Sequence, residues 1–120
     1  MATILEVISH IKSNYVTEDI GNGTLKLEFT IDSNRSQLIY VHGGEMMLLV
    51  SSPFASNISS DLALQVASSA IFGIKQFNDL FVLHHVIPTG DIDASEIEFG
   101  LKLVAIAADE LESKFGRDQF

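Results

Sequence analysis

Residues 80–112 read LFVLHHVIPTGDIDASEIEFGLKLVAIAADELE, and the fold turns on where this stretch stops being strand and becomes helix. From Leu80 to Ile87 every residue is apolar except His84 and His85, the composition of a strand buried on both sides. Pro88 ends it, because a residue without an N–H cannot donate to a ladder, and Gly90 lets the chain change direction. Asp93 then offers a carboxylate as helix cap, with Glu96 three residues on and Glu98 close behind, both favourable at the positive end of a helix. A helix from Asp93 to about Lys114 follows. At about 100° of rotation per residue, Ile97, Leu101, Val104, Ala108, Leu111 and Phe115 share one stripe, while Phe99, Leu103 and Ile106 cluster on nearly the opposite side. A helix lying on one sheet buries only the first stripe. The second has to meet another helix of the chain or a second molecule.

The same stretch looks the most chemical. His84, His85, Asp91 and Asp93 suggest a metal site, but successive strand residues point to opposite faces, so the two histidines cannot share one ion. The acids from Asp91 onward resemble the opening of a calcium loop, yet Glu96 stands where that loop needs glycine and Lys102 where it needs a bidentate acid. A structural role accounts for each residue: histidines in a strand, Pro88 as terminator, Gly90 as bend, Asp93 as cap. No catalytic residue, metal ligand or cofactor is assigned.

Upstream, Thr3 and Glu6 have capping-box spacing, and Ile4, Ile8, Ile11 and Tyr15 recur at helical intervals, giving a first helix over residues 4–14. After a polar connection, Leu25, Leu27, Phe29 and Ile31 alternate with Lys26, Glu28 and Thr30, the period of a half-buried strand. QLIYVH and EMMLLV flank Gly43-Gly44, read as a tight hairpin in which glycine supplies positive backbone angles. Ser59 or Ser60 caps a short second helix, with Leu62, Val66 and Ala70 on one side. IFGIKQF and LFVLHHVI then form a second hairpin around Asn78-Asp79. The third strand, MMLLV, and the fifth, LFVLHHVI, are apolar at consecutive positions, so either Ile39, Val41, Met47 and Leu49 lie together on a face left open by the helices, or the first or second helix crosses over and buries them.

The chain has 120 residues, room for one core, and 16 acidic against 7 basic side chains, a formal charge of -9. That balance repels phosphate backbones and anionic lipid, so neither nucleic acid nor a membrane is an expected partner. Cysteine is absent, which removes disulfides and thiolate chemistry. Glu6 interrupts the first apolar segment and no charged leader with a cleavage site is present, so the cytoplasm is the expected compartment. No elbow serine, phosphate-binding glycine loop or paired-histidine zinc motif occurs, so no enzyme is expected.

The stretches QLIYVHGGEMMLLVSSPFA, residues 37–55, and LFVLHHVIPTGDIDASEIEFGLKLVAIAADELE resemble the YbjN-like proteins and, more remotely, the chaperones of type III secretion. The resemblance covers nearly the whole chain, rests on pattern and supplies no active-site residue. This chain departs from the secretion chaperones in its short second helix. The elements read from the residues make a single α+β domain, helix-β-β-β-helix-β-β-helix, with a five-stranded antiparallel sheet and helices mainly on one face, an order these families share. The likeness implies a cytoplasmic homodimer that holds a protein partner or client segment. Phe99, Leu103, Ile106, Ile39, Met47 and Leu49 are the expected contact residues. The alternative is a small-molecule or metal-binding protein using a strand histidine.

Overall fold

A computed structural model describes residues 4–32, 35–44, 47–56, 59–67, 72–77, 80–89 and 93–114. The elements run α1 (Ile4–Asn14), β1 (Thr17–Gly21), β2 (Thr24–Asp32), β3 (Arg35–Gly43), β4 (Met47–Ser56), α2 (Ser60–Ala67), β5 (Gly73–Phe77), β6 (Leu80–Pro88) and α3 (Ala94–Lys114). All strands pair antiparallel in one sheet of order β1-β2-β3-β4-β6-β5.

Two corrections to the expected architecture follow. The sheet has six strands, not five, because the polar connection after α1 is itself a strand, Thr17–Gly21. A two-residue turn at Asn22 (φ 56°) and Gly23 (φ 75°) folds it back onto β2, with Gly21 opposite Thr24. Positive φ at both turn residues matches the twist of the flanking strands, and Asn-Gly is the pair that tolerates it. The covering layer is also made by two helices rather than three: α1 and α3 bury Val7, Ile11, Ile97, Leu101 and Val104 against the sheet, whereas the eight-residue α2 lies beside α3. Four strands thus precede α2, where the sequence pattern implies three.

The covered face follows the two-residue period of the strands. Leu25 and Leu27 of β2, Ile39 and Val41 of β3, Leu48 and Val50 of β4, and Ile87 of β6 all turn toward the helices. A second cluster under the end of α3 holds Phe54, Phe81, Leu83, Ala108 and Leu111. An irregularity between Pro53 and Ala55 lets Phe54 join it. Gln37, fully buried between β3 and β4, donates from Nε2 to Ser52 Oγ at 3.2 Å and to the Pro53 carbonyl at 2.9 Å. Ser52 in turn donates to the Leu38 carbonyl at 2.7 Å, so a buried polar seam fixes the pairing of these strands.

Local signals explain the helix ends. Asp93 accepts the Glu96 amide at 2.9 Å and the Ser95 hydroxyl at 2.7 Å, which holds its carboxyl below the ordinary range and starts α3. Ser59 accepts the Leu62 amide at 3.1 Å and caps α2. Gly43 and Gly44 do not have the positive φ expected of them: Gly43 remains in β3, and the Gly44 amide donates to the Met47 carbonyl at 2.8 Å. A Cβ on Gly43 would lie 2.9 Å from Ile4 Cγ1, so the missing side chain is what allows α1 to settle on the sheet. Thr3, Asn78, Asp79, Gly90, Asp91 and Phe115, and the side chains of Val66 and Ala70, lie outside the described residues.

Candidate functional site

The face of the sheet away from the helices is built from the other residue of each strand pair. One row across it joins Thr24, His42, Leu49 and Val86. The next joins Lys26, Tyr40, Ser51, His84 and Gly73, and a third joins Pro53, Val82 and Lys75. Ser51 and Gly73 are small, while Tyr40, Leu49, His84 and Lys75 around them are large. The face is therefore concave, and a groove of about 450 Å³ runs across it from Ile20 on one edge strand to Lys75 on the other.

Aliphatic side chains, Ile20, Leu49, Leu80 and Val82, make much of the groove wall, with Thr24, Tyr40, His42, Ser51, Lys75 and His84 as its polar members. Thr24 Oγ1 lies 3.0 Å from His42 Nδ1 and fixes that ring. Burial, then the Lys75 ammonium and His85, push the His84 imidazole below its usual value. Among the described residues, no acidic side chain stands in this wall. A second depression, about 570 Å³, is formed around Tyr15 and Val16 and differs in holding Glu18 and Glu28.

The expected contact residues fall on opposite sides of the molecule. Phe99 is 62% exposed on the outer surface of α3, and Leu103 and Ile106 beside it are half-buried. Leu62 and Leu64 of the neighbouring α2 are exposed as well. Met47, 42% exposed, and Leu49, half-buried in the groove, lie on the open sheet face. Ile39 and Val41 do not join them. Both are fully buried under the helices, because β3 pairs Ile39 with Leu27 and Val41 with Val50, placing them on the covered parity.

His84 and His85 part as a regular strand requires. His84 sits in the groove wall, while His85 turns inward with its ring 4.9 Å from that of Phe72. Among the described residues, no three histidine, aspartate or glutamate side chains come together as a metal site would need. No described helix is long and apolar enough to cross a membrane. Sequence reasoning takes His42 as an edge residue beside a hairpin turn rather than a ligand, and does not single out Tyr40 or Lys75. The available signal was their parity, since Tyr40 and His42 alternate with the buried Ile39 and Val41, and Lys75 follows the half-buried Ile74.

With this geometry in hand, comparison gives no relative: no family model, no curated protein and no solved structure matches the chain.

Proposed function

We propose that this chain is a non-enzymatic protein-binding module, adaptor-like or chaperone-like, that works as a homodimer joined through the outer surface of α3. The observation that carries the reading is Phe99, 62% exposed at the head of the outer stripe of α3. Leu103 and Ile106 continue the stripe at the three- and four-residue spacing by which two helices interlock, and Leu62 and Leu64 of α2 widen it. Water in contact with such a stripe makes burial favourable by roughly 25 cal/mol for each Å² covered. A second copy supplies the same stripe, as a twofold interface requires. The likeness to the YbjN-like proteins and secretion chaperones belongs to the same proposal and points to a protein client.

Light scattering at micromolar concentration tests it. The native chain is expected at twice its monomer mass, and Phe99→Asp or Leu103→Asp is expected at the monomer mass with an unchanged circular dichroism spectrum. A native chain that scatters as a monomer, or variants that remain dimeric, overturns the assignment. A second reading, that the chain also holds a small molecule beside a strand histidine, is supported by His84 standing in the wall of the groove.

A further inference from the structure

The groove on the open face has a composition that the rest of the chain does not lead one to expect. Acids outnumber bases 16 to 7 over the whole sequence, yet among the described residues the ionisable side chains of this wall are Lys75, His42, His84 and Tyr40. Glu18 and Glu28, at the other end of the open face, line the separate depression near Tyr15. The groove therefore holds the Lys75 ammonium and the His84 imidazole at its β5 and β6 side, with Tyr40 and His42 farther along on β3, within a molecule whose net field is negative.

From these placements we infer that the groove binds a single-chain amphiphile with an anionic head, a medium-chain carboxylate. Its head lies between Lys75 and His84, and its chain runs over Ser51 toward Leu49 and Ile20. This rests on the second reading above and gives it a ligand class. Lys75 and His84 stand on neighbouring strands, Lys75 opposite Val82 and Gly73 opposite His84, so one carboxylate can reach both. Gly73 and Ser51 leave the space that the head and first methylenes need. From β5 across β6 to β4 is two strand spacings, about 10 Å, which an extended chain of roughly ten carbons covers. The apolar wall gains by burying the methylenes, at about 0.8 kcal/mol each when fully covered. The ammonium supplies a charge-assisted bond that a cationic or neutral head cannot form. His84 is pushed toward its neutral form by burial and by Lys75, and a carboxylate beside it reverses the second of these effects.

The test is calorimetric titration of the full chain with three probes of equal length below their micelle concentrations: decanoate, decanol and decyltrimethylammonium. Decanoate is expected to bind saturably, one per chain, and more tightly than either other probe. Lys75→Gln, an exposed change that leaves the core intact, is expected to weaken decanoate about tenfold and leave decanol unchanged. Leu49→Asp is expected to abolish binding of both decanoate and decanol. Equal or tighter binding of the ammonium probe overturns the inference, as does unaltered decanoate affinity in Lys75→Gln. Phe99→Asp, on the opposite side of the molecule, separates the two proposals. It is expected to leave decanoate affinity unchanged whether or not it alters mass, and a loss of binding in that variant overturns the assignment to this groove.

Discussion

His84 lines the groove of the open face, whereas His85 turns inward against Phe72, so adjacent residues meet two environments. Burial lowers the pKa of both below 6.5, and Lys75 and His85 lower that of His84 further. The folded imidazoles therefore stay neutral at a pH where those of the unfolded chain have taken up protons. This contribution to stability is complete above the unfolded value of 6.5 and declines as pH falls through it toward the folded values. Partial neutralisation of the 16 acids acts in the other direction over the same range, by relieving repulsion. The two effects separate by comparison with a His84→Gln, His85→Gln double variant, which keeps the second and lacks the first. Urea unfolding from about pH 7 to about pH 5.5 is expected to show a larger loss in the native chain than in the variant. Equal slopes would mean that the histidines titrate as in the open chain. That the two rings part was legible beforehand, because it needs only the two-residue period of a strand. The Phe72 ring that meets His85 was within reach of the same reading, since the β5–β6 hairpin that sets Gly73 opposite His84 brings Phe72 alongside the next residue.

The seat of α1 on the sheet depends on a residue with no side chain. A Cβ at Gly43 would stand 2.9 Å from Ile4 Cγ1 and 3.2 Å from Ile4 Cδ1, closer than side chains pack. Because Gly43 has no positive φ, Gly43→Ala does not strain the backbone, and its whole cost is the collision, about 1–3 kcal/mol. Ile4→Ala removes the colliding atoms and leaves a space that the alanine at 43 partly fills. The double variant is thus expected to be more stable than the sum of the single changes by about 1 kcal/mol, read from guanidinium unfolding. Simple additivity would show that α1 does not rest there. Sequence reading took the same glycine as a turn residue, a fair inference from Gly-Gly between two apolar runs that fails because close approach and turning both select glycine. It missed β1 for a related reason. Thr17-Glu-Asp-Ile-Gly21 is an edge strand whose residues are mostly exposed, so it lacks the alternation of Leu25, Leu27 and Phe29, and its one strong marker is the Asn22-Gly23 turn that follows. The long helix was legible almost to its ends because Asp93 announces it and the stripe from Ile97 to Leu111 repeats for about four turns.

At the scale of the molecule, what matters is that apolar surface remains on two sides of a chain that is already well folded. The radius of gyration, 14.0 Å, is close to the value of about 13.6 Å for a compact domain of this length, so the exposed Phe99 and Met47 are not signs of loose packing. Which strand residues would be left open could not be read in advance, because β4 and β6 are apolar on both parities and only the strand pairing, Leu27 with Ile39 and His42 with Leu49, assigns Ile39 to the core and Leu49 to the groove. The charge, by contrast, was plain from composition, and it limits how these surfaces are used. A net charge of -9 opposes both folding and the approach of a second copy. The ion pair Arg35–Asp109, at 2.7 Å with Arg35 half exposed, offsets little of this. Raising salt from about 0.01 M to about 0.1 M shortens the screening length from roughly 30 Å to roughly 10 Å. Melting temperature is then expected to rise by about 4 °C for each 1 kcal/mol of repulsion removed. The dimer fraction in light scattering is expected to rise with it, because joining two chains through an apolar stripe brings like charges together without pairing them. A dimer that weakens as salt is added would place cross-chain ion pairs at the interface, and Phe99→Asp would then act through charge rather than through lost apolar contact.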